Sequence, residues 1–252
     1  MTTYLITGSS RGIGLTLVSI LARKEASEVG KVFAAARTET AALKNIISDS
    51  AGRVEFIPLD VISEEAAKEA AERVGQSLGG KGIDVLINNA GILSRTEGGA
   101  PNMTDLMETL NVNVFGTHNV TRAFLPLLKK GELKKVINIS SSIGSMTLSG
   151  TLGKFQPSPA YRVSKAAVNM LTVQYAESLE DDGFTFVALC PGWVKTDMGG
   201  ERGHLTPEQS VNGVLRILSR ITPADNGKYM VVDIPDFELD GQKMYDGSVR
   251  PF

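Results

Sequence analysis

Hydrophobic and polar positions along the chain follow two alternating patterns. Short apolar runs, typical of strands buried in a parallel sheet, are separated by stretches in which apolar residues recur at helical spacing. The runs predict seven strands, at residues 4–7, 31–37, 54–61, 83–87, 135–139, 184–190 and 227–232. Helices are predicted from about residue 15 to 22 and at residues 63–78, 103–128, 161–183 and 207–220. This alternation predicts an α/β fold, a single domain over residues 1–252 with a doubly wound parallel sheet of about seven strands and helices on both faces.

Local signals refine three of the helices. Ser63 and Thr206 each precede a helical stretch and are residue types that cap helix N-termini. Gly116 falls inside the predicted helix 103–128, where glycine costs ~1 kcal/mol relative to alanine. We therefore expect close packing or a ligand next to Gly116.

Composition narrows the classes of protein. The 252 residues, 42% of them hydrophobic, are enough to bury a substantial core. A formal net charge of −2 gives no basic footprint for nucleic acid or for an anionic membrane. No apolar run approaches the roughly 18 residues that a membrane span needs, and the first residues lack the pattern of a secretory signal. We expect a cytoplasmic protein that binds neither nucleic acid nor membrane.

The single cysteine, Cys190, excludes an internal disulfide and fits a reducing compartment. No histidine lies near it in sequence, so a buried hydrophobic role is favoured over a nucleophilic one. No metal site is expected.

A glycine-rich segment, from Gly8 to Gly14, follows the first strand and opens a helix. Glycines at such a turn let the backbone approach a pyrophosphate, and the helix N-terminus directs free N–H groups at it. The glycines stand at 8, 12 and 14, which differs from the Gly-x-Gly-x-x-Gly of the longer dinucleotide motif. The segment predicts a Rossmann fold that binds a nucleotide.

The second strand ends in a cation, Arg37, where a cofactor with a plain ribose usually meets an acidic side chain. Arg11 lies inside the glycine segment, and two guanidinium groups suit a 2′-phosphate. Glu39 is the competing residue, but an acid in the first turn of a helix needs no further explanation. NADPH is therefore favoured over NADH.

Polar residues also follow the third and fifth strands, at the sheet edge where open α/β folds bind ligands. Asp60 could accept a hydrogen bond from an adenine amino group, or could be only an acid near the next helix start. The serines at 140–142 form a cluster that is often only turn chemistry.

Tyr161 and Lys165 are four residues apart in a stretch of good helix formers. A helix would put both side chains on one face, about one turn apart. The ammonium would favour phenolate and bring the tyrosine pKa towards neutral pH, which suits proton transfer. A helix-surface pair without chemistry is the alternative. Pro157 and Pro159 favour a loop that leads into the first turn.

Taken in order, these stretches resemble the short-chain dehydrogenase/reductase family over almost the whole chain. The residues that carry the resemblance lie at strand ends or on the matching helices: Thr7 with Gly8 to Gly14, Asp60, Asn88 to Gly91, Asn113, the serines at 140–142, Tyr161 with Lys165, and Pro191 to Thr196. Within the family, the chain resembles sniffer-type carbonyl reductases, bacterial C-factor-like proteins and fungal norsolorinic acid ketoreductase-like proteins of secondary metabolism.

The resemblance implies a catalytic tetrad of Asn113, Ser141, Tyr161 and Lys165, in which the family spacing to Gly144 selects Ser141. Tyr161 would donate a proton to a carbonyl oxygen as hydride reaches the carbon, and Ser141 would hydrogen-bond that oxygen. Lys165, together with the oxidised nicotinamide ring, would lower the Tyr161 pKa, and Lys165 would hold the nicotinamide ribose. Asn113 would support a water that relays protons.

The resemblance also implies a cofactor site along the strand ends. Its implied contacts, besides Tyr161 and Lys165, are Gly8, Ser10, Arg11, Gly12, Ile13, Gly14, Arg37, Asp60, Val61, Asn89, Ala90, Gly91, Pro191, Gly192, Val194 and Thr196. Ser141 and Tyr161 are further apart than is usual in the family, which predicts an enlarged loop from Thr147 to Pro159 near the substrate. The expected substrate contacts are Ser142, Phe155, Trp193 and Met198.

Together the residues and the resemblance predict an NADPH-dependent ketoreductase acting on an aromatic or polyketide-like ketone, or on the corresponding alcohol. The alternatives are a non-catalytic NADP(H)-binding regulatory protein and an NAD-dependent alcohol dehydrogenase. By analogy with the family, a homodimer or homotetramer is expected.

Overall fold

The structure is a computed structural model that describes residues 1–152 and 157–252. Its seven strands are β1 (Thr2–Thr7), β2 (Val29–Ala36), β3 (Val54–Pro58), β4 (Val85–Asn88), β5 (Lys135–Ile139), β6 (Thr185–Cys190) and β7 (Tyr229–Val231). Its α-helices are α1 (Gly12–Arg23), α2 (Ala41–Asp49), α3 (Glu64–Leu78), α4 (Leu106–Leu110), α5 (Gly116–Lys129), α6 (Ser149–Leu152), α7 (Pro159–Ser178) and α8 (Pro207–Arg220).

The strands form one seven-stranded sheet in the order β3-β2-β1-β4-β5-β6-β7, flanked by helices. β1 pairs in parallel with both β2 and β4, and β6 pairs in parallel with β7. The order reverses between β1 and β4, which is the point where doubly wound folds bind nucleotides. Every residue of β6 is buried, as expected for a strand covered on both faces. The predicted Rossmann-type α/β fold is confirmed.

Contacts group the chain into two compact units, which are described separately below. The first unit is Met1–Ala90 with Phe115–Val136, and the second is Gly91–Val114 with Ile137–Phe252. In the first unit α1 packs on β1 and β2, and α3 packs on β3; in the second, α7 packs on β6. A single domain over residues 1–252 stays a prediction.

The predicted helix 103–128 is wrong as a continuous α-helix. It begins only at Leu106, and a turn of π-helix at Asn111–Phe115 separates α4 from α5. Asn113 lies within this turn, and its side chain bonds the backbone of Ile92.

Other boundaries also differ from the predictions. α7 ends at Ser178, because residues 179–183 form turns that finish at Gly183 with φ of 77°. The third strand stops at Pro58, since a turn from Asp60 to Ser63 follows it. Glu39 is not in the first turn of a helix: Thr40 caps α2, so Glu39 precedes the cap.

Three local predictions are confirmed. The Ser63 hydroxyl accepts from the N–H of Ala66 and caps α3. Thr206 caps α8 in a capping box with Gln209. A Cβ at Gly116 would lie 2.7 Å from Val61 Cγ2, so close packing accounts for this glycine.

Candidate active site

The glycine turn of the first unit is shaped by close backbone contacts. Gly8 has φ of +67°, and a Cβ there would lie 2.8 Å from Ala90 Cα. A Cβ at Gly14 would overlap the Gly8 carbonyl oxygen and the Asn89 side chain. Glycine is needed at both positions because any side chain would push the turn apart.

Hydrogen bonds fix this turn to the neighbouring strand ends. Asn89 Nδ2 donates to the carbonyl oxygens of Thr7 at 2.9 Å and Gly8 at 3.3 Å. Thr7 Oγ1 in turn accepts from the backbone N–H groups of Asn89 and Ala90. The Ser9 hydroxyl donates to the Ala35 carbonyl at 3.1 Å, and Thr40 Oγ1 donates to the Ser10 carbonyl at 3.2 Å.

Helix α1 starts directly from this turn. Arg11 occupies its cap position and makes no side-chain cap hydrogen bond, and Gly12 and Ile13 form the first turn. As in any α-helix, the first N–H groups of α1 have no partner within the helix and so can bind an anion at this end.

The two arginines predicted to bind a 2′-phosphate both lie at the surface of the first unit. Arg37 follows the last residue of β2, and its side chain is exposed, as is that of Arg11. Glu39, the competing residue, lies 3.9 Å from Lys44 in an ion pair. An ion pair at this distance with an exposed lysine is weak, so it does not decide between Glu39 and the arginines, and 2′-phosphate binding stays a prediction.

Asp60 has a structural role in the turn after β3. One oxygen of its carboxylate accepts from the Ile62 N–H at 3.3 Å, and its carbonyl accepts from the Ser63 N–H at 3.1 Å. This arrangement matches the reading of Asp60 as an acid near a helix start, and adenine binding by Asp60 and Val61 stays a prediction.

In the second unit, Asn113 is 1% exposed and bonds both backbone groups of Ile92. Its Oδ1 accepts from the Ile92 N–H at 2.8 Å, and its Nδ2 donates to the Ile92 carbonyl at 3.0 Å. Nδ2 also donates to Ser164 Oγ at 2.9 Å, and Ser164 Oγ donates to the Tyr161 carbonyl at 2.7 Å. Asn113 thereby joins the chain after Gly91 to the turn of α7 that carries Tyr161.

The three serines after β5 have different partners. Ser140 is buried and donates to Asn169 Oδ1 at 2.6 Å. Ser142 donates to Cys190 Sγ at 3.2 Å. Ser141 alone of the three forms a side-chain hydrogen bond with Tyr161. The structure brings together Ser141 and Tyr161, as the family spacing implies.

Tyr161 and Lys165 lie one turn apart on α7 and are both buried, at 8% and 5% exposure. Lys165 Nζ donates to the Ile139 carbonyl at 2.7 Å and lies 5.5 Å from the centre of the Tyr161 ring. Gly144 packs beside these two residues, and a Cβ at this position would lie 2.6 Å from Lys165 Cβ. Only glycine therefore lets the turn at residues 141–144 approach α7 this closely. The alternative of an exposed helix-surface pair is wrong.

The expected lowering of the Tyr161 pKa is not found in this structure. Burial raises the pKa of Tyr161 above its usual range, nearby Cys190 raises it further, and the Ser141 hydrogen bond lowers it. Burial also lowers the pKa of Lys165 to about 8, which nearby Cys190 partly opposes. Burial is the largest cause of both pKa shifts, because each charged form would lose its hydration inside the protein.

The segment after β6, from Pro191 to Thr196, is fixed by contacts within the second unit. Gly192 has φ of +81°, and Val194 is buried. The Pro191 carbonyl accepts from Ser210 Oγ at 2.7 Å, and Thr196 Oγ1 accepts from the Gly199 N–H at 3.2 Å. The segment is thus a fixed turn rather than a loose loop.

The predicted substrate contacts differ in how far the structure describes them. Trp193 is half-buried, with Nε1 donating to the Gly199 carbonyl at 2.8 Å, and Met198 is 40% exposed. Phe155 lies outside the described residues, and the predicted enlarged loop 147–159 includes α6.

Three residues that contact this region were not predicted from the sequence, namely Tyr229, His204 and Tyr245. The Tyr229 hydroxyl donates to Ser142 Oγ at 3.4 Å, and that of Tyr245 contacts Trp193 and His204. No local spacing could have found them, because their partners lie 41 to 87 residues away in sequence.

Within 1–152 and 157–252, no helix is both long and apolar enough to cross a membrane. Over the same ranges, no three His, Cys, Asp or Glu side chains are grouped so that they could hold a metal ion.

Comparison with known proteins shows the family to which the chain belongs. The family model described as short chain dehydrogenase matches residues 2–205. The chain belongs to the short-chain dehydrogenase family. The resemblance inferred from the sequence is therefore confirmed.

Individual relatives agree with this assignment. An uncharacterized oxidoreductase of Schizosaccharomyces pombe is 34% identical over 275 residues, covering 99% of this chain and 97% of the relative. The structure of NADPH-bound carbonyl reductase from chicken fatty liver has a TM-score of 0.87 and 32% identity, covering 100% of this chain and 99% of that chain. Carbonyl reductase Sniffer of Drosophila melanogaster has a TM-score of 0.85 and 26% identity, with 100% of both chains covered. This chain is thus an oxidoreductase of that family.

Proposed function

We propose that this chain is an NADPH-dependent carbonyl reductase that transfers hydride to a ketone, with Tyr161 as the general acid. The observation that carries the proposal is the buried Tyr161 hydroxyl, hydrogen-bonded to Ser141 and one turn from Lys165. Because burial raises the Tyr161 pKa, the phenol keeps its proton at neutral pH. A protonated phenol is the form that reduction of a carbonyl requires.

The residues present fit a nicotinamide dinucleotide. Gly8 and Gly14 themselves place no side chain at the turn that opens α1, which lets a pyrophosphate approach the N–H groups of this helix N-terminus. Bound NADPH supplies the hydride. The proposed contacts in the first unit are Gly8 to Gly14, Arg37, Asp60, Val61, Asn89 and Ala90, and those in the second are Gly91, Tyr161, Lys165, Pro191, Gly192, Val194 and Thr196.

Each catalytic side chain has a separate task in this mechanism. Tyr161 gives its proton to the substrate oxygen, and Ser141 donates a hydrogen bond to the same oxygen as negative charge develops. The Lys165 ammonium stabilises the phenolate that remains on Tyr161. Asn113 acts through Ser164, whose hydroxyl holds the Tyr161 carbonyl, and so keeps this turn of α7 in place.

The substrate is proposed to be an aromatic or polyketide-like ketone that contacts Ser142, Trp193 and Met198. The support is the exposed thioether of Met198 and the partly exposed indole of Trp193, both of which follow β6. Apolar and aromatic side chains of this kind contact planar ligands through their flat or flexible surfaces.

We also propose that the protein forms a homodimer or homotetramer and that it is cytoplasmic. In the second unit, Met107 of α4 and Val163 and Met170 of α7 are exposed at 74%, 47% and 58%. Large apolar side chains exposed on adjacent helices are a common feature of subunit interfaces. The single buried cysteine fits a reducing compartment.

Cofactor choice tests this proposal without a known substrate. We expect wild-type protein to bind NADPH more tightly than NADH, and Arg37→Ala to weaken NADPH binding about tenfold or more while changing NADH binding less than about twofold. The reason is that the guanidinium pairs with a 2′-phosphate that NADH lacks. Fluorescence titration of each cofactor measures both constants.

The matched control is Arg23→Ala, which removes another exposed arginine of the first unit, at the end of α1. It should leave both affinities unchanged. Equal loss of NADPH and NADH affinity in Arg37→Ala would refute the phosphate contact. A wild-type protein that prefers NADH would favour an alcohol dehydrogenase, and one that binds neither would refute the proposed function.

A further inference from the structure

Tyr245 reaches the segment after β6 from near the end of the described chain. It is 5% exposed, and its hydroxyl accepts the backbone N–H of Trp193 at 3.1 Å. The same hydroxyl lies 3.0 Å from Nδ1 of His204. One phenol oxygen therefore joins two parts of the chain that are far apart in sequence.

The hydrogen bond between Tyr245 and His204 can run in either direction, depending on the tautomer of the imidazole. The Tyr245 hydroxyl accepts from the Trp193 N–H and keeps its own proton, which it can donate to His204 Nδ1. In that arrangement Nδ1 is the bare nitrogen of a neutral imidazole. Burial favours these forms, since it lowers the pKa of His204 and raises that of Tyr245 to about 12.

Ring packing holds the same segment from its other side. A Cβ at Gly192 would lie 2.6 Å from Leu205 Cδ1 and 3.2 Å from Tyr245 Cε1, so the tyrosine ring lies directly on this glycine. The Trp193 ring is 4.9 Å from His204, and the Phe237 ring is 4.9 Å from Tyr245. The rings of Trp193, His204, Phe237 and Tyr245 therefore pack against one another.

The backbone of Trp193 is also held at its carbonyl. The N–H groups of His204 and Leu205 donate to it at 2.7 and 3.0 Å. The N–H of Trp193 has the Tyr245 hydroxyl as its partner. Removal of that hydroxyl leaves one side of the Gly192–Trp193 peptide without its support.

We infer that Tyr245 and His204 are positioning residues that hold the backbone from Gly192 to Val194 in the shape that receives the nicotinamide end of the cofactor. This inference rests on the proposed function, which assigns Gly192 and Val194 to the nicotinamide carboxamide. Neither side chain needs to touch the cofactor, because both act through the peptide that they fix. Tyr245 and His204 therefore support the cofactor site from outside it.

Comparing the affinities for two ligands distinguishes this positioning role from a general structural role. NADP⁺ carries a nicotinamide, whereas 2′,5′-ADP carries only the adenosine and phosphate groups. We expect Tyr245→Phe to weaken NADP⁺ binding about fivefold or more, the effect of one lost buried hydrogen bond, and to leave 2′,5′-ADP binding within about twofold of wild type. Isothermal titration calorimetry measures both.

Tyr4→Phe is the control, because it removes a partly buried tyrosine hydroxyl from β1 and should change neither affinity. If Tyr245→Phe does not fold, His204→Asn and His204→Leu replace it. The asparagine keeps an acceptor for the Tyr245 hydroxyl and should retain NADP⁺ affinity, whereas the leucine should lose it.

Unchanged NADP⁺ affinity in Tyr245→Phe and in both His204 variants would overturn the inference. Equal weakening of NADP⁺ and 2′,5′-ADP would overturn it too, since it would show a general loss of structure. If wild-type protein binds 2′,5′-ADP but gains nothing from the nicotinamide of NADP⁺, the inference alone fails. If wild-type protein binds neither ligand, the proposed function fails first and the inference falls with it.

Discussion

Lys165 is a lysine that the fold buries almost completely, with one hydrogen bond from Nζ to the Ile139 carbonyl. Burial of an ammonium lowers its pKa, here to about 8, because the charged form loses its hydration. Between pH 8 and the usual lysine value of 10.5, the unfolded chain therefore holds a proton that the folded protein has lost. Stability should rise with pH across this window.

A variant without this lysine tests whether burial of the Lys165 ammonium lowers the stability of the folded protein. We expect Lys165→Met to raise the free energy of unfolding at pH 7 by on the order of 1–3 kcal/mol, because it removes a buried charge. Its advantage over wild type should shrink between pH 8 and 10. Urea unfolding at several pH values measures the difference.

The control for this variant is Lys68→Met, which removes an exposed lysine of α3. It should show the same pH dependence as wild type. If Lys165→Met and wild type differ by a constant amount at every pH, the Lys165 pKa is not lowered.

At the scale of single residues, the sequence predicted a site residue correctly where residue type and spacing together allow few chemical roles. Ser141 was selected from three serines, and it is the one that contacts Tyr161. The spacing predicted a lowered Tyr161 pKa, whereas burial raises it in the protein alone. The spacing of Tyr161 and Lys165 gave their proximity but not the degree of burial, and burial decides the sign of the shift.

At the scale of elements, the turn after β5 and helix α7 are joined by a close contact at Gly144. A Cβ at this position would lie 2.6 Å from Lys165 Cβ and 2.9 Å from the Lys165 carbonyl carbon. The backbone of a helix cannot move away from such an overlap as a flexible side chain can. Gly144 therefore sets the distance between Ser141 and the helix that carries Tyr161.

Alanine at this position should separate the two elements. We expect Gly144→Ala to lower the free energy of unfolding by about 1–3 kcal/mol and to reduce turnover, because overpacking displaces Lys165. Thermal and urea unfolding measure the first effect.

Gly150→Ala is the matched control, since a Cβ there meets nothing within 4 Å and Gly150 lies in α6. It should be neutral or slightly stabilising, as is usual for alanine in place of an exposed helical glycine. Equal stability of the two variants would contradict the role given to Gly144.

The π-turn at Asn113 is an element that sequence patterns could not reveal. One additional residue in a helix leaves the apolar periodicity on either side nearly unchanged, so residues 103–128 read as one helix. The contact that accompanies the π-turn joins Asn113 to Ile92, 21 residues away. Caps such as Ser63 and Thr206 were predictable because their partners lie within three residues.

At the scale of the whole molecule, the sheet explains which parts of the site the sequence could predict. The glycine turn, Arg37, Asp60 and Asn89 all lie just after parallel strands of the first unit, and the carboxyl ends of such strands share one edge. Alternation of strands and helices is therefore sufficient to group them. Tyr245 and His204 reach the site through irregular segments, which have no period from which to infer a position.

In the proposed reduction, Tyr161 delivers the proton and NADPH supplies the hydride. Replacement by phenylalanine removes only the hydroxyl and keeps the ring within α7. Tyr175→Phe is the control, since Tyr175 lies on the same helix and stacks on Phe186 at 5.3 Å, away from the serine cluster.

The most direct measurement is turnover of NADPH with a panel of aromatic and polyketide-like ketones, together with the NADPH dissociation constant, for wild type and both variants. The account predicts that Tyr161→Phe loses turnover by a factor of about 100 or more, binds NADPH within about twofold of wild type, and differs in turnover from an active Tyr175→Phe. Turnover by Tyr161→Phe at the wild-type rate would contradict the mechanism. Tight NADPH binding by wild type with no turnover of any ketone would instead favour a protein that binds the cofactor for regulation.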